Sequence, residues 1–368
     1  MDMDNYLESP NDSILQKDIE EIAKNEEYEF EMLNNKTILI TGATGLIGNQ
    51  IVKALACVNR LRNLNIKILA LIQEEKEAKE VFSSIWNKDF FETYEGDIQD
   101  NINYNHKIDY IIHAAGPTNS KFFITNPVET IDIAVLGTKN ILELAKKNNI
   151  ESMIYLSSLE VYGNNKDKEI LSENDYGYID ILNTRSSYSE GKRMVECMCR
   201  AYFEEYNVPV KIARLAQTFG PGVNYNDKRV FAEFCRAVIE KKDIVLHTEG
   251  RTTRNYCYVK DVIYALFTLL LKGNSGESYN VSNKNTAISI KEMAELVCNI
   301  FLESEITVKT EIPEDISIYG YNPEAIVKLD STKIESLGWH PTTDLENMFI
   351  NTVKSMREKK EKNSKPKM

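Results

Sequence analysis

Tyr188 and Lys192 stand four residues apart in Tyr188-Ser189-Glu190-Gly191-Lys192. In a helix, positions i and i+4 share a face. The run Lys192 to Phe203 has no proline or glycine and carries apolar residues at helical spacing, which predicts a helix. A free phenol loses its proton near pH ~10, too high for a base at neutrality. A neighbouring ammonium favours the phenolate and is expected to lower that pKa. Such a base could take a proton from a hydroxyl while a hydride leaves the same carbon. The plainer reading is a tyrosine and a lysine on an ordinary amphipathic helix, so the pair needs a hydride acceptor and substrate groups around it.

The chain around the pair predicts such an acceptor site. Lys36 to Thr41 is a short apolar run fit for a buried strand. It leads into Gly42-Ala43-Thr44-Gly45-Leu46-Ile47-Gly48, and a helix pattern follows from Asn49 to Arg60. Strand, glycine-rich turn and helix form the context of a dinucleotide fingerprint. Gly42 would let the chain turn sharply, Gly45 would let backbone approach a pyrophosphate, and Gly48 would let helix and strand pack closely. A helix start offers free N–H groups to the phosphates. The glycine spacing is three and three, not the commoner two and three.

A second strand, Ile66 to Ile72, ends at Gln73, followed by Glu74 and Glu75. No arginine stands there for a 2′-phosphate, so NAD is expected over NADP. The pattern continues with a helix from Glu74 to Trp86, a strand from Phe90 to Glu95, and Gly96-Asp97-Ile98. A strand from Asp109 to His113 ends in Ala114-Ala115-Gly116, small residues against which a flat ring could lie. A helix from Pro127 to Asn148 precedes a strand from Ser152 to Leu156, which ends in Ser157-Ser158-Leu159-Glu160. Val208 to Leu215 reads as the next strand. Strands alternating with helices predict an α/β fold, a Rossmann-type doubly wound parallel sheet. After Phe219-Gly220-Pro221-Gly222 the elements become shorter and mixed. Arg251 and Arg254 precede a strand-like run there, and arginine's planar fork suits a diphosphate.

Four segments are expected: an N-terminal extension (1–35) packing on the surface or a partner, a dinucleotide-binding domain (36–216), a smaller mixed substrate-binding region (217–351) and a basic tail (352–368). A net charge of −12 argues against a general nucleic-acid binder. No apolar run is long enough for a membrane span. The acidic start lacks signal-peptide order, and six scattered cysteines fit reduced thiols in a cytoplasm. The four histidines form no ligand pattern, so no metal is expected.

Taken in order, Gly42-x-x-Gly45-x-x-Gly48, Asp97, Ala114-Ala115-Gly116, Ser157-Ser158-x-Glu160-Val161-Tyr162-Gly163, Tyr188-x-x-x-Lys192, Phe219-Gly220-Pro221-Gly222 and Arg254-x-Tyr256-x-Tyr258-Val259-x-Asp261 carry a family resemblance. They resemble the extended short-chain dehydrogenases/reductases, the NAD-dependent nucleotide-sugar epimerases, dehydratases and decarboxylases. Leu337-Gly338-Trp339-x-Pro341 resembles the C-terminal signature of that family. The resemblance implies that Tyr188 is the base at a sugar hydroxyl, usually at C4, with Lys192 lowering its pKa and holding the nicotinamide ribose. Ser158 would bond the same hydroxyl, and Glu160 would act in the site. Thr44, Leu46 and Ile47 would join the glycines at the cofactor, with Asp97 and Ile98 by the adenine. Gln217, Arg229 and Arg254 would join Ser158 at a nucleotide-sugar substrate. A homodimer is implied, formed by the helices after Asn126-Pro127 and at Tyr188.

Within the family, the stretches from Tyr188 to Tyr202 and from Thr218 to Pro221 look most like UDP-glucuronate decarboxylases. The aspartate that 4,6-dehydratases place before the glutamate is Leu159, which cannot give a proton. Two positions depart from the family's asparagines, Ala134 and Gln217. A 4-epimerase is the alternative activity, then a 4,6-dehydratase, and a non-catalytic NAD-binding sensor or scaffold is the alternative of another class.

Overall fold

The computed structural model describes residues 6–165, 168–313 and 324–363. Helix α1 (Ser13–Lys24) comes first, followed by β1 (Thr37–Thr41), α2 (Leu46–Arg62), β2 (Lys67–Ile72), α3 (Glu75–Val81) and β3 (Phe91–Glu95). The chain continues through β4 (Tyr110–His113), α4 (Ser120–Thr125), α5 (Pro127–Asp132), α6 (Thr138–Asn148), β5 (Ser152–Ser158) and β6 (Ile170–Leu171). Then come α7 (Ser186–Tyr206), β7 (Val210–Leu215), β8 (Gln217–Phe219), α8 (Val230–Glu240), β9 (Ile244–Leu246), β10 (Thr253–Arg254) and β11 (Tyr256–Tyr258). The last elements are α9 (Val259–Lys272), β12 (Ser278–Val281), β13 (Ile288–Ser289), α10 (Ile290–Ile300), β14 (Val308–Thr310), β15 (Ile326–Leu329), α11 (Thr332–Glu335) and α12 (Leu345–Asn363).

Among the described residues the large sheet has seven parallel strands in the order β12-β7-β5-β4-β1-β2-β3. Parallel strands are covered on both faces, so both strand faces are apolar. Ile38, Ile40, Ile112 and Ile154 point to one face with residues of α1, α2 and α9. Leu39, Ile111, Met153 and Tyr155 point to the other with residues of α6 and α7. The chain runs from β1 outward to β2 and β3, then returns to β4 on the opposite side of β1. That reversal opens a crevice at the C-terminal ends of β1 and β4, where ligands of such sheets bind. A second core, built by α8, α10 and α12, fills the smaller region. No described helix is long and apolar enough to cross a membrane.

The structure differs from the sequence expectations in instructive places. Helix α2 begins at Leu46, not Asn49, because Gly45 is its cap residue. Helix α3 stops at Val81, short of Trp86, and Phe82 and Ile85 turn into the core. The helix expected from Pro127 to Asn148 is α5 and α6 joined by a π turn, Ile133–Gly137. Strand β12 belongs to the large sheet and helix α9 packs against one face of it, although both fall in the stretch 217–351. The limit at 351 falls inside α12.

The N-terminal extension is the largest correction. Leu15, Ile19, Ile22, Ala23, Phe30 and Leu33 are buried in the main core of the same chain. Phe30 meets Phe267 of α9 edge-on at 5.2 Å, and Arg62 of α2 lies over its ring at 5.1 Å. Truncating Phe30 to alanine is therefore expected to lower unfolding free energy by about 3 kcal/mol in urea denaturation. A change within about 0.5 kcal/mol would mean that the segment only rests on the surface.

Candidate active site

Helix α7 brings Tyr188 and Lys192 to one face. The Lys192 ammonium is buried; it donates to the Leu156 carbonyl at 2.8 Å and lies 4.7 Å from the Tyr155 ring centroid and 5.8 Å from that of Tyr188. Ser158, the last residue of β5, stands close enough to the Tyr188 hydroxyl to draw the phenol's pKa down, and its Oγ accepts from the Glu160 N–H at 3.2 Å. The ring of Tyr188 stacks on Phe123 of α4, with centroids 4.2 Å apart and planes 11° from parallel. Helix α7 can approach α5 and the π turn closely because both surfaces are small. A Cβ on Gly191 would sit 3.4 Å from Cβ of Ala134. An asparagine at 134 would crowd that contact.

The electrostatics differ from the simplest expectation. Burial, then the carboxylate of Glu160, push the Tyr188 phenol up to about 12. The influences opposing them are the nearby Ser158 hydroxyl and the charges of Arg185 and Arg229. Lys192 donates to the Leu156 carbonyl, and the influences that lower the phenol's pKa are led by Ser158, Arg185 and Arg229. Burial pushes Lys192 itself down to about 8, with Glu196 one turn further along α7 working against that fall. Glu160 is largely buried, which opposes ionisation, yet Arg185 holds its carboxyl below the usual range. The two form a forked pair at 2.7 and 3.0 Å, and Ser189 Oγ adds a bond of 3.1 Å.

The glycine turn fits the pyrophosphate of a dinucleotide. Gly42 has φ of +63°, and a Cβ there would lie 2.8 Å from the Ala114 carbonyl and from Cα of Ala115. A Cβ on Gly48 would lie 2.2 Å from the Gly42 oxygen. Gly45 is exposed, and a Cβ there would meet only that oxygen, at 3.2 Å. Its front is therefore open. Helix α2 starts beyond it with no side-chain cap, so the N–H groups of the first turn, from Leu46 and Ile47, face the opening with Thr44 beside them. Gly116 is also exposed, and a Cβ there would find only Lys192 Nζ, at 4.0 Å. The crevice thus runs from Gly45 to the Tyr188–Lys192 pair.

Its floor is fixed by a short polar chain. Thr41 Oγ1 accepts from the Ala115 N–H at 3.1 Å and is bonded to His113 Nδ1 at 2.6 Å, while His113 Nε2 is bonded to Thr138 at 3.0 Å. Burial and the nearby Lys192 charge push His113 down to about 3, so it stays neutral. Beyond β3, Asp97 accepts from the Gln99 N–H, and the Ile98 side chain packs where Gly137 leaves room for it. Gln73 is exposed at the end of β2.

The three substrate candidates come from the smaller region. Gln217 lies in β8 opposite Tyr256. Arg229 pairs with Asp227 at 2.6 Å. Arg254 Nε is buried with no hydrogen-bond partner among the described residues, and its charge reaches Glu160. A buried, unsatisfied guanidinium nitrogen is costly unless an acceptor arrives to meet it.

Several site residues escape sequence reading. Phe123 and Arg185 carry no motif signal. The Glu196 carboxylate accepts from Ser157 Oγ at 2.6 Å and pairs with Arg214 at 2.6 Å. Arg214 also donates to Tyr162, the Glu173 carbonyl and Tyr176. Helical spacing from Lys192 could have flagged Glu196, but nothing local points to Arg214.

A sequence model of the NAD dependent epimerase/dehydratase family matches residues 38–282. Among curated relatives, UDP-glucuronic acid decarboxylase 3 of Arabidopsis thaliana is 30% identical over 84% of this chain and 86% of its own. The dTDP-D-glucose 4,6-dehydratase of Homo sapiens is 28% identical over 88% of this chain and 90% of its own. Among solved structures, the dTDP-glucose 4,6-dehydratase DesIV of Streptomyces venezuelae, with NAD and TYD bound, shares the fold at a TM-score of 0.75. That match has 20% identity and covers 88% of this chain and 98% of the other. With a glycine cradle open to a pyrophosphate at one end of its crevice and a tyrosine–lysine pair at the other, the chain belongs to the NAD-dependent epimerase/dehydratase family of enzymes.

Proposed function

We propose that this enzyme decarboxylates a UDP-hexuronic acid by way of a 4-ketone. The observation that carries this reading is the state of Glu160 and its neighbour. Arg185 holds Glu160 as a carboxylate, and Leu159 beside it is buried and aprotic. Neither can act as the acid that water loss from C6 would require. Arg254, with its unsatisfied Nε, supports an anionic substrate.

In this reading Tyr188 takes the proton of the C4 hydroxyl and Ser158 keeps that hydroxyl aimed. When bound, NAD+ would supply a positive charge to the site, take up the hydride that leaves C4 and give it back to C4 after CO2 has left, so that the product is a pentose and not a ketone. A ketone at C4 is β to the C6 carboxylate. The C5–C6 bond then breaks, its electron pair moves toward the C4 oxygen, and CO2 leaves. Tyr188 and Ser158 hold the enolate oxygen by hydrogen bonds, and C5 is protonated in turn. Gln73 and Glu74, with no arginine beside them, support NAD over NADP. Gln217, Arg229 and Arg254 would line the sugar and diphosphate.

Incubation with UDP-glucuronate is expected to release CO2 and yield a UDP-pentose, with Tyr188→Phe slowed by about 10²–10⁴-fold. A product of unchanged mass would replace this reading with 4-epimerisation. Loss of water from dTDP-glucose would replace it with 4,6-dehydration. Normal behaviour of Tyr188→Phe in every assay would leave a non-catalytic sensor or scaffold.

Burial of Lys192 also has a measurable signature in cofactor-free protein. The unfolded chain keeps the Lys192 proton up to its ordinary value of 10.5, while the folded protein releases it near 8. The cost of burying the charge is therefore full below pH 8 and relieved as pH rises through that window. Lys192→Met is expected to be inactive yet more stable than wild type at pH 7, by up to about 3 kcal/mol. The gap should close toward pH 10.5. A variant less stable than wild type at pH 7 would show that the bond to Leu156 outweighs desolvation.

A homodimer through α5 and α7 is part of the same proposal. Val128 and Ile131 of α5, Leu136 of the adjoining π turn and Met194 of α7 are exposed, with Val128 at 70%. Exposed apolar clusters of this kind mark interfaces. Light scattering is expected to give a dimer for wild type at micromolar concentration and a monomer for Leu136→Arg. A wild-type monomer would refute the interface.

A further inference from the structure

Residues 6–34 lie ahead of the stretch that the family model matches, yet two of their buried carboxylates converge on one turn of the active site. Asp12 caps α1 by accepting from the Leu15 N–H at 3.0 Å. Its other oxygen accepts from Ser355 Oγ of α12 at 2.5 Å. Ser355 Oγ in turn accepts from the Gly222 N–H at 3.1 Å. One turn and a half further along α1, Asp18 accepts from the Tyr258 hydroxyl at 2.7 Å, and Asn351 donates to the same hydroxyl at 3.1 Å. Tyr258 is paired in register with Phe219. Both chains of bonds therefore end on the segment from Gln217 to Gly222.

That segment walls the cofactor crevice. Gln50 of α2 donates to the Pro221 carbonyl at 2.6 Å. A Cβ on Gly222, at φ of +90°, would lie 3.3 Å from Gln50 Nε2 and 3.4 Å from Leu46 Cδ1. The turn thus leans on the start of α2, whose N–H groups face the glycine opening. Gln217 opens the same segment.

Apolar contacts alone would hold α1 in place, since Leu15, Ile19 and Ile22 already bury it. Buried carboxylates cost desolvation and are weak devices for stability. They are better suited to fixing one geometry, because each bond has a required partner and direction.

We propose that residues 6–34 are a positioning element for the cofactor crevice, which set the Gln217–Gly222 turn against the first turn of α2 through Asp12–Ser355 and Asp18–Tyr258. This rests on the reading that the glycine turn holds the pyrophosphate of NAD+. Ser355 touches no reacting atom; it acts through Gly222.

The test measures NAD+ affinity by calorimetry on full-length, cofactor-stripped protein, together with thermal stability. Ser355→Ala is expected to weaken NAD+ binding by about 5–20-fold, the loss of one buried hydrogen-bond relay. Ser355→Thr keeps the hydroxyl and should bind within about 2-fold of wild type. Ile19→Ala, a core truncation in α1, should lower the melting temperature more than Ser355→Ala does but leave NAD+ affinity within about 2-fold. Unchanged affinity in Ser355→Ala, or a loss that follows melting temperature across both alanine variants, overturns the inference alone. A wild-type protein that binds no NAD+ overturns both the inference and the cofactor reading beneath it.

Discussion

The candidate active site depends on a lysine ammonium kept out of water. Lys192 has one carbonyl, Leu156, as its hydrogen-bond acceptor and the face of Tyr155 beneath it. That bond ties α7 to β5 at one rotation of the helix. With the rotation set, Tyr188 one turn earlier faces Ser158 at the end of the same strand. One turn later, Glu196 meets Ser157 and Arg214. Three successive turns of α7 are thus fastened to two adjacent strands, β5 and β7. The placement of the Tyr188 hydroxyl relative to Ser158 is set by the sheet, a rigid scaffold, and not by a loop.

The same arrangement keeps the Tyr188 phenol protonated at neutral pH while Lys192 still carries its charge. Burial raises the Tyr188 phenol and lowers Lys192, so each group is driven toward its neutral form. Stacking on Phe123 shields one face of the phenol from water. Guanidiniums of Arg185 and Arg229 are among the groups that draw the phenol's pKa down. A site of this type responds strongly to any further charge, because little water is present to screen it.

What could be read from the chain alone follows a physical rule: features set by neighbours in sequence were legible, and those set by distant partners were not. Gly42, Gly45 and Gly48 serve a turn within seven residues, and the Tyr188–Lys192 spacing is a property of one helix. The parallel sheet also shows locally, as apolar runs such as Ile38 to Ile40 separated by helical stretches. By contrast, Glu160 reads as a free acid until Arg185, 25 residues away, is seen across from it. Lys192 reads as a partner of Tyr188 because the acceptor that claims it is a backbone carbonyl 36 residues earlier. The polar surface of residues 1–35 conceals a narrow apolar stripe, Leu15, Ile19 and Ile22. Its partners on α2 and α9 lie far along the chain.

The N-terminal segment and the Tyr188–Lys192 pair are linked by stability as well as by geometry. Lys192 and the unsatisfied Arg254 Nε both oppose folding in the ligand-free protein, since each is a polar group deprived of water. Proteins commonly carry such strained sites on scaffolds that are stabilised elsewhere. Here the stabilising contacts of α1 fall on the backs of α2 and α9, the helices behind the glycine turn and behind the Tyr258 strand. Apolar burial there keeps both helices in place while their opposite ends stay open toward the crevice. An extension that packed on the smaller region alone would add stability without coupling it to the cofactor turn. By touching α2, α9 and α12 together, α1 joins the core of the large sheet to that of the smaller region.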